Sequence, residues 1–291
     1  MMASALSTRL GAESEASKLP ALQVAAEQLA STVMMGVHGR RRAGMGEEFW
    51  QYRHHRAGDE PRMIDWRRSA KCPDTRFVRE LEWQTAQSVS MWVDPAASMR
   101  FASKGNPTKS ERAQLLGLAL AIIMLRGGER VGLTDDDTVP RAGMGQLTRI
   151  AAALLKAEID VDFSAPDARQ LAAHSTAVFI SDFLGDLAAI EAAVSEAASR
   201  GVRGVLIQTL DPQEEVFPFK GRTIFESITG ALRHETKRAG DLRDRYLERL
   251  AARKAAISGF ARATGWQFHT HHTDQSPQQA LLWAYKALGR T

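Results

Sequence analysis

The C-terminal part of this 291-residue sequence alternates short apolar segments with longer segments that have helical spacing of apolar residues. This alternation restricts the fold more than any other feature, since strands joined by helices of this length form a mainly parallel sheet with helices on both faces. We therefore predict an α/β fold with a doubly wound sheet. The predicted strands are 89–93, 130–133, 177–180, 204–210 and 266–271, and the predicted helices are about 108–126, 145–157, 186–199, 237–263 and 277–288.

The sequence is predicted to have three parts. Residues 1–19 are rich in Ser, Ala and Glu and are expected to be disordered. Residues 20–82 hold a helix at about 21–35 and then a basic arm that is loop-like over most of its length. Residues 83–291 form the α/β domain, in which 213–234 has no clear strand or helix pattern and is predicted to be irregular.

Composition excludes several classes of protein. The single cysteine, Cys72, excludes an internal disulfide and cysteine-rich zinc sites. The N-terminus lacks the apolar block of a secretion signal. The longest apolar run, Leu115–Leu125, is shorter than the roughly 20 residues that span a bilayer. We expect a cytoplasmic protein without membrane insertion.

The positive charge is concentrated in the arm. Residues 36–80 contain 11 of the 38 Lys and Arg residues and 7 of the 34 Asp and Glu residues, an excess of four that equals the net charge of the whole chain. Such a patch is typical of contacts with phosphate, nucleic acid or an acidic protein. The interleaved acidic residues disfavour uniform nucleic-acid binding.

Polar residues follow several predicted strands directly. Asp94 and Ser98 come after the first strand, Asp182 after the third and Asp211 after the fourth, and the last strand ends in 271–274, His-His-Thr-Asp. In a doubly wound sheet, ligands bind beyond the carboxyl ends of the strands. Converging oxygen atoms suit Mg²⁺, but an aspartate at this position also caps a following helix. Both interpretations remain open.

Two sets of motifs resemble known families. VDPAASM at 93–99 and ISDFLGD at 180–186 are similar to the metal-ion-dependent adhesion site of von Willebrand factor type A domains. GRRRAGMGEEFWQYRHHRAGDEPRMIDWRRSAKCPDTRFVRE at 39–80 resembles the signature of the domain of unknown function family 58, which pairs G-x-G-x-E-F with G-D-x-x-R-x-I-D-W before a type A-like strand. The resemblance covers about residues 35–235.

This resemblance implies a type A-like fold with a degenerate metal site. The ligands it implies are Asp94, Ser98 and Asp182, with the strands of the two aspartates side by side at the switch point of the sheet. Ala96 stands where the motif has its first serine, and Ser164 is a stand-in for the expected threonine. We therefore expect no cofactor, or weakly bound Mg²⁺.

The arm provides the candidate residues for partner binding. One interpretation is structural, with a charge network that pins the arm and the Trp66 indole as a buried anchor. The other is a surface that docks a partner. The residues concerned are Arg40, Arg41, Arg42, Asp59, Arg62, Asp65, Trp66 and Arg67.

The resemblance implies a non-enzymatic protein-interaction module. Members of the family are typically encoded beside MoxR-type AAA+ ATPases, so we expect an adaptor or co-chaperone of such an ATPase. Two alternatives remain: an Mg²⁺-dependent phosphohydrolase-like enzyme using Asp94 and Asp182, and phosphate or nucleic-acid binding through the arm. The sequence contains neither a P-loop nor a G-x-S-x-G nucleophile motif, so no enzyme is expected.

Overall fold

The computed structural model describes residues 19–34, 49–55, 64–71, 76–81, 87–134 and 139–289. Residues 1–18, which belong to the segment predicted to be disordered, lie outside this described part. The chain divides into two compact units, one with Met1–Val37 and Gln87–Thr291 and the other with His38–Ala86. The first helix therefore groups with the α/β unit and not with the arm, unlike the division predicted from the sequence.

The elements follow one another in the order that the sequence alternation indicates. The helices are α1 (19–34), α2 (Trp66–Ser69), α3 (Lys109–Arg126), α4 (Gly145–Lys156), α5 (Leu187–Ser199), α6 (Pro212–Val216), α7 (Gly240–Ala263) and α8 (Pro277–Leu288). The strands are β1 (Phe49–His54), β2 (Phe77–Leu81), β3 (Ser88–Val93), β4 (Arg130–Leu133), β5 (Thr176–Ser181), β6 (Arg203–Leu210), β7 (Thr223–Glu226), β8 (Arg233–Thr236) and β9 (Gln267–His272).

The α/β unit is built on a five-stranded sheet in the order β4-β3-β5-β6-β9, in which every pair of neighbours is parallel. After β4 the chain crosses back past β3, so the order of strands reverses between β3 and β5. This is a doubly wound, type A-like sheet, and the fold prediction is confirmed. The switch point lies between β3 and β5, where the sequence analysis expected it.

Side chains that alternate along the strands fill two separate cores. In β5, Val178 and Ile180 belong to the core under α1, α3, α4 and α8, while Ala177 and Phe179 belong to the core under α5 and α7. Successive residues of a strand point to opposite faces of a sheet. The continuous apolar run of β5 is therefore explained by helices that cover both faces.

Helix α3 is the central helix of the larger core. It begins with a capping box in which Thr108 and Glu111 bond each other's backbone N–H groups, and every residue from Leu116 to Leu125 is buried. Gly117 lets the helix approach the sheet, since a Cβ there would lie 3.0 Å from Val93 Cγ2. Within the described ranges, no helix combines the length and hydrophobicity that crossing a bilayer requires.

The segment predicted to be irregular at 213–234 contains α6 and an antiparallel hairpin of β7 and β8. That prediction was wrong because the two strands are short and largely polar, without the apolar run that marks a buried strand. The hairpin is held by an aromatic cluster in which Phe217 stacks on Phe225 at 5.6 Å and contacts Tyr246 at 4.8 Å between ring centroids.

The second unit contains an antiparallel pair, β1 with β2, interrupted by an irregularity between Phe49 and Gln51. Helix α2 lies between these strands in sequence. Its Ser69 hydroxyl donates to Asp65 O at 2.8 Å and accepts the Phe77 N–H at 2.9 Å, which fixes the helix to the start of β2. Strand β1 lies in the part of the arm for which the sequence predicts a loop, so the structure corrects that prediction.

Gly204 in β6 provides a test of the packing between sheet and helices. A Cβ at this position would lie 2.7 Å from Trp266 Cζ3 and would overlap the carbonyl oxygen of Ala177. We expect Gly204→Ala to lower the free energy of unfolding by about 2–3 kcal/mol, because the backbone of β5 cannot move away. Denaturant unfolding monitored by circular dichroism measures this change.

The matched control is Gly259→Ala in α7, where an added Cβ meets nothing within 4 Å. This substitution should raise the free energy of unfolding by about 0.5–1 kcal/mol, since alanine favours a helix interior over glycine. Equal effects of the two substitutions would contradict the close approach of β5, β6 and Trp266.

Candidate functional site

Three aspartates meet at the carboxyl edge of the sheet. Asp94 follows β3, Asp182 follows β5 and Asp211 follows β6, and these strands are consecutive neighbours. Their exposed fractions are 2%, 1% and 0%, so all three are buried. The structure therefore brings Asp94 and Asp182 together as predicted, but in the interior of the edge rather than on an open surface.

Asp94 is surrounded by hydrogen-bond donors from its own unit. Ser164 Oγ donates to Asp94 Oδ1 at 2.5 Å, and Ser181 Oγ donates to Oδ2 at 2.6 Å. The backbone N–H of Ala96 donates to Oδ1 at 2.9 Å. Both carboxylate oxygens thus have partners, and the carboxyl group connects the loop after β3 with the loop before β5 and with the end of β5.

Asp182 is paired with a buried lysine. Lys109 Nζ lies 2.8 Å from Asp182 Oδ2 and 2.7 Å from Glu214 Oε1, and only 1% of the lysine side chain is exposed. The other oxygen of Asp182, Oδ1, accepts the N–H of Leu184 at 2.9 Å. The Lys109 ammonium group, at the start of α3, therefore lies between the carboxylate of Asp182, which follows β5, and the carboxylate of Glu214 on α6.

Burial and charge act against each other in this cluster. Burial alone would lower the pKa of Lys109, but the carboxylates of Asp182 and Glu214 outweigh it and raise that pKa above its ordinary value. Burial raises the pKa of Glu214 against the effect of Lys109. Burial also raises the pKa of Asp94, with a smaller contribution from the charge of Asp182. Lys109 therefore keeps its positive charge at neutral pH although it is buried.

Asp211 caps helix α6 and also binds the loop that contains Ser103. Its Oδ1 accepts the N–H of Gln213 at 2.8 Å, and Glu214 Oε2 accepts the N–H of Asp211 at 2.8 Å, which completes a capping box for α6. Its Oδ2 accepts both the N–H and the hydroxyl of Ser103, at 2.8 and 2.9 Å. The geometry therefore supports a capping role for Asp211 and not the role of a metal ligand.

The two hydroxyl positions of the adhesion motif have different environments. Ser98 Oγ is buried and makes no hydrogen bond with any residue in the described part of the chain. Ala96 is 1% exposed and offers only a methyl group where the motif has a serine. Ser164, the stand-in for the missing threonine, is engaged with Asp94.

These residues do not fit a divalent cation. Each oxygen of Asp94 and of Asp182 already accepts a hydrogen bond or an ion pair, and the Lys109 ammonium group lies against Asp182. A second cation beside Lys109 would face electrostatic repulsion and would lack the ligand that Ala96 cannot supply.

A buried arginine and histidine complete the edge beside β9. Arg112 on α3 donates to Thr273 O and Gln275 O, both at 2.7 Å, and its Nη1 lies 3.4 Å from His271 Nε2. Burial, together with the charge of Arg112, lowers the pKa of His271 to about 3. The imidazole is therefore neutral at physiological pH, and its Nε2 accepts from Arg112.

The candidate residues of the arm are only partly described. Asp65 caps α2 by accepting the N–H of Arg68 at 2.9 Å. Trp66 is 58% exposed, which does not fit the interpretation in which its indole is a buried anchor. Arg67, which follows it, is exposed as well. The others lie outside the described residues: Arg40, Arg41, Arg42, Asp59 and Arg62.

Sequence reasoning missed three members of the site: Lys109, Arg112 and Glu214. A signal existed for two of them. Lys109 stands in the first turn of a helix, where the helix dipole disfavours a cation, so a buried acidic partner was a reasonable inference. Glu214 stands three residues after Asp211, the spacing of a capping box. Arg112 carried no comparable signal.

Comparison with protein families and curated relatives identifies similar proteins of unknown role. A family model described as Protein of unknown function DUF58 matches residues 51–256. An uncharacterized protein of Mycobacterium tuberculosis is 26% identical over 282 residues, which cover 89% of this chain and 85% of that protein. An uncharacterized protein of Mycobacterium bovis has the same identity and coverage.

Comparison with solved structures finds two proteins of Bacteroides. An aerotolerance-related membrane protein from Bacteroides fragilis is 14% identical, with a TM-score of 0.44, and the match covers 71% of this chain and 100% of that one. The conserved hypothetical protein BatB from Bacteroides thetaiotaomicron is also 14% identical over the same coverage, with a TM-score of 0.37.

Replacing Lys109 should reveal how strongly it compensates the buried carboxylates. We expect Lys109→Met to lower the free energy of unfolding at neutral pH by about 3–5 kcal/mol, since the carboxyl groups of Asp182 and Glu214 lose their cation. The loss should be smaller at acidic pH, because burial raises the pKa of Glu214, and its protonated carboxyl group no longer needs the cation. The exposed Lys104→Met is the control and should change the stability by no more than about 0.5 kcal/mol. Equally small effects in denaturant unfolding would contradict the compensation.

The neutral state of His271 makes stability depend on pH. Its pKa is about 3 in the folded chain and 6.5 in the unfolded reference, so unfolding takes up a proton between these values. The free energy of unfolding should therefore fall with decreasing pH below 6.5, by up to about 1.4 kcal/mol per pH unit from this group. His271→Gln should reduce the slope below pH 6.5, leaving the contribution of His269 and His272, whose pKa values burial also lowers, and should leave the pH dependence above 7 unchanged. Parallel slopes for both proteins in pH-dependent unfolding would exclude a buried neutral imidazole.

Proposed function

This chain belongs to the family described as Protein of unknown function DUF58, and we propose that it is a non-enzymatic protein-interaction module that needs no metal ion. Its main support is the ammonium group of Lys109, which lies between Asp182 and Glu214 at the edge where type A domains place a divalent cation. An internal cation makes the charge balance of the edge independent of any ion from solution. Binding of a partner then depends on the shape and polarity of the surrounding loops.

The contacts of Asp94 support the same role. Its carboxylate ties the loop after β3 to Ser164 and Ser181, so the group acts in positioning loops rather than as an open ligand. In a type A site with metal, a partner completes the coordination shell with its own carboxylate. In this chain a carboxylate from a partner would find no metal ion to bind. A partner would instead contact the loops that surround the carboxyl edge of the sheet.

The partner that the family resemblance implies is a MoxR-type AAA+ ATPase, with this chain as its adaptor or co-chaperone in the cytoplasm. The exposed Trp66 indole favours the docking interpretation of the arm over the structural one. Exposed aromatic side chains beside arginines are typical of interface centres. Phosphate or nucleic-acid binding through the arm is a less favoured proposal, because acidic residues are interleaved with its cations.

A phosphohydrolase-like reaction has little support in this geometry. Such chemistry needs carboxylates that hold Mg²⁺ with open positions for water and substrate. Asp182 is instead held by Lys109 and by the N–H of Leu184, and Asp94 accepts three hydrogen bonds.

Metal independence and partner binding are tested together. Calorimetric titration of the native chain with Mn²⁺ and Mg²⁺ should show no binding, and Ala96→Ser alone should show none while Lys109 remains. The affinity for a MoxR-type ATPase encoded in the same genome, measured by biolayer interferometry without nucleotide, should be the same with excess EDTA as with Mn²⁺.

Each outcome bears on a different part of the proposal. Binding of Mn²⁺ by the native chain, or loss of the complex in EDTA, would overturn metal independence. Lack of any complex with the ATPase would overturn the proposed partner. Hydrolysis of a generic phosphate ester, absent from Asp182→Asn, would replace the module by an enzyme.

A further inference from the structure

The exposed apolar side chains of the α/β unit are not spread evenly. In the described part of the chain eleven large hydrophobic side chains are exposed, and seven of them lie in two short segments, 159–163 and 216–232. These seven are Ile159, Val161, Phe163, Val216, Ile224, Ile228 and Leu232. Clustered exposed hydrophobics mark interaction surfaces more often than single ones do.

The two segments adjoin each other and the edge of the sheet. Thr229 Oγ1, in the turn between β7 and β8, donates to Asp162 Oδ1 at 2.8 Å. The N–H of Ala97 donates to Val161 O at 2.9 Å, and the N–H of Ser98 donates to Asp162 O at 3.0 Å. The hairpin, the 159–163 loop and the turn after Asp94 therefore form one continuous surface.

Strand β8 is an open edge of this surface. Residues Arg233, His234 and Glu235 are all exposed, whereas β7 alternates between half-buried and exposed positions. The two strands form a sheet of their own, and no other described strand pairs with β8. An open edge of this kind is a template for an added strand.

The register shows which backbone groups of β8 face outward. Ser227 N–H donates to Leu232 O at 2.8 Å, so this opposed pair is a hydrogen-bonded pair. Pairs alternate along an antiparallel ladder, which makes the opposed pairs at Arg233 and Glu235 non-hydrogen-bonded. The N–H and C=O groups of these two residues therefore point away from β7, toward the open edge.

Charge decides which occupant suits this edge. Five basic side chains of the hairpin region are exposed, against two acidic ones, and one acidic group is already paired, because Arg222 lies 2.7 Å from Glu235. The exposed basic residues are Lys220, Arg222, Arg233, Lys237 and Arg238. An added strand with acidic side chains would meet cations along β8, where Arg233 and position 237 lie on one face by the two-residue period of a strand.

We propose that β8 receives an extended acidic segment of a partner protein as a third strand of the β7–β8 sheet. The outward backbone groups of Arg233 and Glu235 would supply the hydrogen bonds, the acidic side chains of the segment would lie on the face that carries Arg233, and its alternate apolar side chains would lie on the opposite face, which carries Leu232. This inference names the docking surface of the interaction module proposed above and rests on that function.

Two other occupants fit less well. A second copy of this chain, paired antiparallel through β8, would bring Arg233 and Lys237 of one copy near the same cations of the other, and like charges across strands repel. An anionic membrane offers no extended backbone that could pair with the outward N–H and C=O groups of Arg233 and Glu235, whereas a protein segment does.

The test uses a fluorescein-labelled peptide of ten residues in which Glu alternates with Val and Ile, titrated against the full chain by fluorescence anisotropy. The same peptide with Lys in place of Glu should not bind. Glu235→Pro should weaken binding by about tenfold, since it removes an outward N–H without breaking a β7–β8 hydrogen bond. Glu235→Ala is its matched control and should leave the affinity unchanged or slightly higher.

A second pair of variants tests the charge without altering the backbone. Arg233→Glu combined with Lys237→Glu should weaken binding by about tenfold or more, whereas Arg249→Glu, exposed on α7, should not. Circular dichroism and unfolding midpoints like those of the native chain confirm that each variant is folded.

The proposal is overturned if the acidic peptide does not bind, or if its binding is insensitive to Glu235→Pro and to the charge reversals. Binding of phosphatidylglycerol vesicles without peptide binding would assign the surface to a membrane, and a dimer in light scattering that Glu235→Pro dissociates would assign it to a second copy. None of these measurements involves a metal ion. Failure here is thus distinguishable from failure of metal independence.

Discussion

A lysine with almost no solvent exposure holds the carboxyl edge of this protein together. Lys109 joins α3 to Asp182 at the end of β5 and to Glu214 on α6, three places that are far apart in sequence. A buried ion pair seldom adds much net stability, because both charges lose their hydration. The ion pair instead fixes the positions of α3, of the end of β5 and of α6. Moving either carboxylate away from the ammonium group would leave an uncompensated charge in the interior.

The fold was predictable because its signals are local. Helix α3 has a capping box at Thr108 and Glu111, and the buried strands are continuous apolar runs. The order of parallel strands then placed Asp94 beside Asp182. The strands β1, β7 and β8 escaped prediction because they mix polar with apolar residues and lack the apolar run of the buried strands, and their pairing partners set their conformation.

The site was less predictable than the fold because its chemistry depends on contacts between distant residues. Asp94 and Asp182 are visible as strand-end aspartates, but the lysine that neutralises Asp182 lies 73 residues before it in sequence. A motif comparison therefore finds the acidic residues of a metal site and overlooks the cation already present. The exposure of Trp66 was likewise decided by packing, which no local pattern encodes.

Glu214 has a consequence for how this protein can change during evolution. One of its oxygens caps α6 through the N–H of Asp211, and the other holds Lys109, so a single side chain serves a helix terminus and a buried cation. A lineage that lost Lys109 would retain two buried carboxylates with no counter-charge, and a lineage that lost Glu214 would also lose a helix cap. A single substitution at position 109, 182 or 214 is therefore costly by itself, and a change at one of them favours a compensating change at another.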